Sequence, residues 1–212
     1  IADFAAIGGG AVLLDIRTGE ILGMVSLPDF DPNDAGVASE ESRFNRNALG
    51  VYEMGSTFKI FNTAMALDAG IVGMSDGFDA RKPIRIGGFT ITDFKPKNRW
   101  LTVPEIFMYS SNIGSAKMAE QAGTERQQLF MNRLGFFKQV PLELPERGKP
   151  MYPSDWKPIN TMTIAYGHGL AVTPLHLVSG VAAVVNGGLL RPMTLMKRDS
   201  DDAAPGRRII RE

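Results

Sequence analysis

The apolar residues of this chain fall in short blocks separated by turn formers, and the spacing inside each block predicts its form. Ala11-Val12-Leu13-Leu14-Asp15-Ile16 and Glu20-Ile21-Leu22-Gly23-Met24-Val25-Ser26 flank Arg17-Thr18-Gly19, a β-hairpin that opens from Gly8-Gly9-Gly10. Both runs are apolar almost throughout, which predicts cover on both faces, and Gly23 predicts the close approach of another backbone. Leu27-Pro28-Asp29-Phe30-Asp31-Pro32-Asn33 is a loop, and the polar stretch from there to Arg46 has no strong period. Pro83 to Thr92 alternates around Gly87-Gly88, a smaller hairpin with a primed turn, expected at the surface on the rim of a cleft.

Helical blocks make up most of the rest. From Thr57 to Leu67 the only charge is Lys59, and Phe58, Ile60, Phe61, Met65 and Leu67 surround the axis; a helix apolar on every face belongs in a core. Gly55 permits a tight turn before it and Gly70 suits a left-handed residue after it, so the helix is predicted over Ser56–Ala69. Thr102-Val103-Pro104-Glu105 is a capping box for a helix to Tyr109. Ile113–Gln121 is predicted helical up to Gly123, and Thr124–Leu134 up to Gly135, with Thr124 and Gln127 as a capping pair. Prolines 141, 145, 150, 153 and 158 predict an irregular loop from Val140 to Thr161, carrying Tyr152 and Trp156. Thr173-Pro174 opens a helix with Leu175, Val178, Val181, Ala182 and Val185 apolar, ending at Asn186-Gly187-Gly188. Leu189–Met196 is predicted as a strand, and Lys197–Glu212 is polar up to Arg208-Ile209-Ile210.

Composition narrows the function classes. At 212 residues and 44% hydrophobic the chain can bury a real core. Its 23 Lys plus Arg balance 23 Asp plus Glu, so no net field draws it to nucleic acid or an anionic membrane, and no nucleic-acid partner is expected. The absence of cysteine removes disulfides, zinc thiolates and thiol nucleophiles, and two histidines are too few for a typical histidine metal site. No apolar run is long enough to span a bilayer, and Ile1-Ala2-Asp3 is neither a signal peptide nor an initiator; the expectation is a piece of a longer protein.

The chemistry sits at the mouth of the apolar helix. Ser56 lies at the positive end of the helix dipole, where free N–H groups favour developing negative charge, and Lys59, three residues on, projects from the same face. A lysine emerging from so apolar a segment is desolvated, which lowers its pKa, and a neutral amine beside a hydroxyl is a general base. Taken alone, Ser-x-x-Lys is far more often an N-cap followed by a snorkelling lysine, and Ser110-Ser111-Asn112 alone is an ordinary cap turn.

The wider phrase changes that balance. Glu53-Met54-Gly55-Ser56-Thr57-Phe58-Lys59-Ile60-Phe61 closely resembles the nucleophile helix of penicillin-binding proteins and serine β-lactamases, and Ser110-Ser111-Asn112, about 50 residues on between two helices, resembles their Ser-x-Asn motif. The Leu27–Asn33 loop, Phe44-Asn45-Arg46-Asn47-Ala48 and Ala165-Tyr166-Gly167-His168-Gly169 resemble class B, division-type members. The resemblance implies an α+β penicillin-binding protein/serine β-lactamase-like transpeptidase fold over residues 1–212, incomplete: a helical lobe plus an N-terminal β-hairpin, without the C-terminal sheet strands.

It also implies a peptidoglycan D,D-transpeptidase acting on D-Ala-D-Ala stem peptides through a serine acyl-enzyme, with β-lactam antibiotics as inhibitors and no cofactor. Ser56 would be the nucleophile, Lys59 the base, Ser110 the proton relay, and Asn112 the amide that holds substrate and lysine. The implied setting is the periplasmic domain of a single-pass inner-membrane protein in septal wall synthesis, with divisome proteins including a membrane glycosyltransferase as partners. His168, alone in a glycine turn, reads as structural.

No Lys-Thr-Gly or Lys-Ser-Gly occurs, and the resemblance places that strand beyond Glu212. Without it the expectation is a poorly active chain, a hairpin that is displaced, disordered or paired with another molecule, and self-association through an exposed sheet edge. Two alternatives stay open at this stage. A class D β-lactamase or β-lactam sensor can share Ser-Thr-Phe-Lys-Ile, although Ser-Ser-Asn and Tyr-Gly-His-Gly stand where that group has Ser-x-Val and Tyr-Gly-Asn; a non-catalytic scaffold would keep the helical lobe alone.

Overall fold

A computed structural model of the chain describes residues 2–198 and 205–211, which form two compact units built from interleaved segments. The first takes Ile1–Tyr52, Gly135–Met151 and Val172–Arg208. Its hairpin is formed: Gly9–Leu14 pairs antiparallel with Ile21–Leu27, with Val12 opposite Met24. Leu13 pairs with Gly23 and Leu14 with Ile21, so Leu22 is an extra, bulged residue. The bulge puts Ile21 and Met24, three apart, on one face with Val12 and Leu14, where they pack with Ala48, Leu175 and Val178.

The opposite face corrects the expected double cover, since Leu13, Leu22 and Val25 are 63%, 60% and 51% exposed. Packing of the inner face also corrects the expected displaced or disordered hairpin: one buried face and a closed ladder hold it. Gly23 marks no close approach, because a Cβ there would meet only Leu13 Cβ at 4.0 Å. The glycine instead follows the bulge, where a missing side chain eases the kink.

Around the hairpin, Asn47 is fully buried and donates from Nδ2 to Val25 O at 2.7 Å, while Leu175 N donates to Asn47 O at 3.3 Å. Ser39 caps a short helix, Glu40–Arg43, in the stretch that showed no period. The expected strand Leu189–Met196 shrinks to Leu189–Leu190, paired with Arg207–Arg208, and a parallel bridge joins Glu20 to Thr194. Residues 199–204 and 212 of the polar tail lie outside the described residues.

The second unit takes Glu53–Leu134, Tyr152–Ala171 and Ile209–Glu212, and it carries every candidate residue. A 3-10 turn, Gly55–Phe58, leads into the α-helix Lys59–Asp68, so Ser56 sits on the tighter turn before the helix proper. Phe58, Phe61, Met65 and Ala66 are almost wholly buried, and Gly55 and Gly70 take the expected positive φ of 56° and 67°. The Thr102 capping box is complete and starts Val103–Met108. The next helix, Asn112–Ala122, ends at Gly123.

Gly114 lets these two helices meet closely, for a Cβ there would lie 2.5 Å from Ile106 Cγ1. With Ile106, Ile113, Leu101, Val103 and Met118 buried in one cluster, the turn between the helices has little freedom. The small hairpin forms as predicted, Ile84–Ile86 with Phe89–Ile91, around Gly87 and Gly88 at φ 55° and 83°. Two expectations fail locally. Thr124 and Gln127 do not cap their helix: the Thr124 hydroxyl pairs with that of Thr161 at 2.7 Å, and buried Gln127 donates to Thr161 O at 3.0 Å. Pro158 starts a helix, Pro158–Ile164, inside the supposed irregular loop, since proline is compatible with a first helical turn.

In the first unit the helix Pro174–Val185 is capped by Thr173, whose hydroxyl accepts from His176 N at 3.3 Å. His176 is 3% exposed, and its Nε2 lies 2.7 Å from Lys138 O. A carbonyl only accepts, so Nε2 carries the proton and Nδ1 accepts from the Thr173 hydroxyl at 2.7 Å. Burial pushes the imidazole pKa below its ordinary value, opposed by the Lys138 bond. A lowered folded pKa means the unfolded chain takes the proton first, so this contribution is full above about pH 6.5 and is lost as pH falls. Denaturant midpoints should therefore decline between pH 7 and 5, and His176→Gln should flatten that decline; an unchanged slope in the variant would refute the assignment.

Candidate active site

Ser56 and Lys59 have opposite environments although they share one turn. Ser56 is exposed, whereas Lys59 is 2% exposed, its stem lying in the same buried shell as Phe58 and Phe61. The Lys59 amine has four oxygen neighbours: Ser56 Oγ at 2.9 Å, Ser110 Oγ at 2.9 Å, Ser110 O at 2.8 Å and Asn112 Oδ1 at 2.7 Å. All four residues named from sequence thus converge on one nitrogen.

The protons can be placed from donor chemistry. Ser110 O is a carbonyl and can only accept; Asn112 Nδ2 donates to Thr92 O at 2.9 Å, which leaves Oδ1 facing the amine, also as an acceptor. A neutral amine has two N–H bonds, and these two oxygens take them. Its lone pair is then left for the hydroxyls of Ser56 and Ser110, either of which can donate to it. Desolvation by burial lowers the Lys59 pKa to about 8, with the negative charge of Asp93 opposing that shift. A minor but usable fraction of the amine is therefore neutral near pH 7, about a tenth.

Asp93 escaped the sequence reading. It follows the small hairpin directly, accepts from the Ser111 hydroxyl at 2.8 Å and from Ile113 N at 2.9 Å, and so ties the hairpin to the Ser110–Asn112 turn. Ser111 itself caps the next helix, accepting from Gly114 N at 2.9 Å. The turn is thus both the ordinary cap and the site: Ser111 serves the helix while Ser110 and Asn112 face Lys59. Ser110 adopts φ +55°, a conformation that costs about 1 kcal/mol or more outside glycine and aims both its oxygens at the amine. A lone acid among cations at the end of a hairpin was the only signal for Asp93.

A second tie holds the other side of the serine. Glu53 accepts from Gly169 N at 2.6 Å and sits 3.1 Å from His168 Nδ1, contacts that lower its pKa, while Gly55 N donates to Gly167 O at 3.2 Å. A Cβ on Gly167 would overlap the Gly55 backbone, so only glycine permits this approach. His168 contacts Glu53 across this tie, and Glu53 was missed because its partners lie more than 110 residues away.

Among the described residues no cluster of His, Cys, Asp or Glu could hold a metal ion, and no helix is long and apolar enough to cross a membrane. The chemistry on hand is a serine, an amine of lowered pKa and a second hydroxyl.

Comparison with known proteins identifies the family. Residues 9–211 match the family model described as the penicillin binding protein transpeptidase domain. The chain is 40% identical over 210 residues to a probable peptidoglycan D,D-transpeptidase FtsI of Caulobacter vibrioides, covering 99% of this chain and 36% of that protein. It is 33% identical to the peptidoglycan D,D-transpeptidase FtsI of Escherichia coli K12, covering 96% and 34%. The chain thus spans about a third of the length of these curated relatives. Among solved structures, the apo transpeptidase domain of Burkholderia pseudomallei penicillin-binding protein 3 superposes with a TM-score of 0.86 at 27% identity, covering 99% of this chain and 59% of that one. Fold and sequence agree, and the chain belongs to the penicillin-binding protein transpeptidase family.

Proposed function

We propose that the chain carries the acylation centre of a peptidoglycan D,D-transpeptidase of the division type, with Ser56 as nucleophile. One observation carries the reading: the buried Lys59 amine is shared by Ser56, Ser110 and Asn112 within 2.9 Å. The match over residues 9–211 and the names of the relatives support it over a class D β-lactamase or a scaffold. Peptidoglycan lies outside the cytoplasmic membrane, so the domain would work in the periplasm, held there by a membrane anchor and assembled with divisome partners.

In acylation, Ser56 Oγ attacks the carbonyl carbon of the penultimate D-alanine while Lys59 Nζ takes its proton. The peptide C–N bond breaks, the Ser110 hydroxyl gives a proton to the departing D-alanine nitrogen, and Lys59 restores the proton to Ser110. N–H groups of the first helical turn favour the transient oxyanion. Asn112 keeps Lys59 aimed and leaves it one fewer orientation to lose. An amine from a neighbouring stem peptide then attacks the ester and releases Ser56 by the reverse proton route. A β-lactam ring offers the same amide carbonyl, but its leaving nitrogen stays tethered to the acyl group.

Intact-mass measurement with benzylpenicillin should find one adduct, on Ser56, and none in Ser56→Ala. The adduct is expected to form slowly, in line with the poor activity expected above; an adduct that survives Ser56→Ala, or none in the unsubstituted protein even after prolonged incubation, overturns the reading. Lys59→Arg keeps charge but cannot yield its proton, and should slow acylation by about a hundredfold or more.

The pH profile tests the base separately. Only the neutral amine accepts the proton, so acylation should rise with pH through a midpoint of about 8 before it levels off. Asp93→Asn removes a charge that favours the ammonium form, so the midpoint should move to lower pH even though the plateau falls. Stopped-flow acylation with a chromogenic cephalosporin reads both; a midpoint that stays put would show that Asp93 acts on the turn alone.

A further inference from the structure

Charge is unevenly distributed in this neutral chain. Between residues 81 and 99 there are six cations and one acid, Asp93, and that acid is spent on Ser111 and Ile113. Arg81 pairs with Asp79 and Arg99 with Glu105. Lys95 and Lys97 are exposed and have no ion-pair partner among the described residues.

These two lysines are held beside the reactive centre rather than on a free loop. At one end Thr92 O accepts from Asn112 and Asp93 accepts from Ser111 and Ile113. At the other, the Lys97 ammonium stands 4.5 Å from the centre of the Tyr109 ring, and Arg99 lies over the same ring at 5.9 Å. Tyr109 immediately precedes Ser110, whose two oxygens bind Lys59. The segment 92–97 is thus pinned at both ends to residues 109–113, and Pro96 stiffens the span between the lysines. A ring face restrains an exposed ammonium weakly and leaves its other side open to an anion.

We propose, resting on the transpeptidase reading, that Lys95 and Lys97 form an anion subsite for a carboxylate of the substrate peptide, away from the bond that is cleaved. The class of ligand follows from position: the centre one residue away takes peptides, and a peptide anion is a carboxylate. Lysine suits it as a mobile point charge that accepts a carboxylate from several directions. Each exposed pair contributes modestly, so the two lysines give about a three- to tenfold preference for the charged peptide at low salt. Screening removes it at high salt.

The probes are two synthetic peptides ending in D-Ala-D-Ala, one with a free carboxylate on an internal acidic residue and one with that group amidated. Binding of each to the unsubstituted protein is measured by calorimetry at low and high salt, with Ser56 acylation by benzylpenicillin run on the same sample. The expected result is a several-fold preference for the free carboxylate that vanishes at high salt and in Lys95→Glu/Lys97→Glu. If Ser56 is acylated but the two peptides bind equally, or neither binds, the subsite is refuted while the transpeptidase reading stands. If Ser56 is not acylated even after prolonged incubation, that reading fails whatever the peptides show. A preference that persists in the double variant also refutes the subsite, and cosedimentation with phosphatidylglycerol vesicles without any peptide preference assigns the lysines to a membrane surface instead.

Discussion

The burial of one amine organises the catalytic unit. Lys59 is 2% exposed, and an ammonium taken out of water must be either compensated or neutralised. Here it meets four oxygens but, among the described residues, no carboxylate at contact distance; Asp93 acts on it through space and spends its own hydrogen bonds on Ser111 and Ile113. That balance leaves the amine able to lose its proton near neutral pH. A carboxylate in direct contact would hold the charge and silence the base, whereas no negative charge at all would drop the pKa further and weaken proton capture.

Everything that positions those oxygens comes from backbone constraints some distance from Ser56. The Ser110–Asn112 turn is caught between two helices brought close at Gly114, and Ser110 is held in a left-handed conformation by its neighbours. Asp93 closes the turn from the hairpin side. On the far side of the serine, Glu53 and Gly167 hold the residues that lead into the nucleophile turn. The reacting groups themselves are few, but the strain and close contacts that aim them are spread over many residues.

Local patterns in the sequence were sufficient for most of the fold. The hairpins, the Thr102 and Thr173 caps and the glycine-ended helices depend on residues within a few positions of each other, and those elements formed as expected. Failures occurred where a residue spends its side chain over long range. Gln127 reads as a cap from its neighbours but is buried against Thr161; Leu22 reads as one more strand residue but is the bulge that sets which face packs. The four residues that meet at the Lys59 nitrogen were legible because the Ser-Thr-Phe-Lys and Ser-Ser-Asn phrases resemble a known family. Asp93 and Glu53 were not, because an acid in a loop carries no local mark of the amide it will accept from.

Ser56 and Lys59 also show why one turn can serve two opposite demands. A hydroxyl that is to react must be reachable, and an amine of lowered pKa must be dry, yet residues three apart share a face. The 3-10 turn of Gly55–Phe58 nearly eclipses side chains three apart, which stacks Ser56 and Lys59 on one face; Ser56 stands in solvent because it precedes the buried stretch, and Lys59 begins that stretch. The long lysine stem then returns its amine 2.9 Å from the serine hydroxyl. Gly55, at φ +56° and in contact with the Gly167 backbone, is what allows the chain to enter that turn. The division between an exposed hydroxyl and a buried amine is therefore made by where the two residues stand relative to the start of the buried helix, before any electrostatic tuning acts on it.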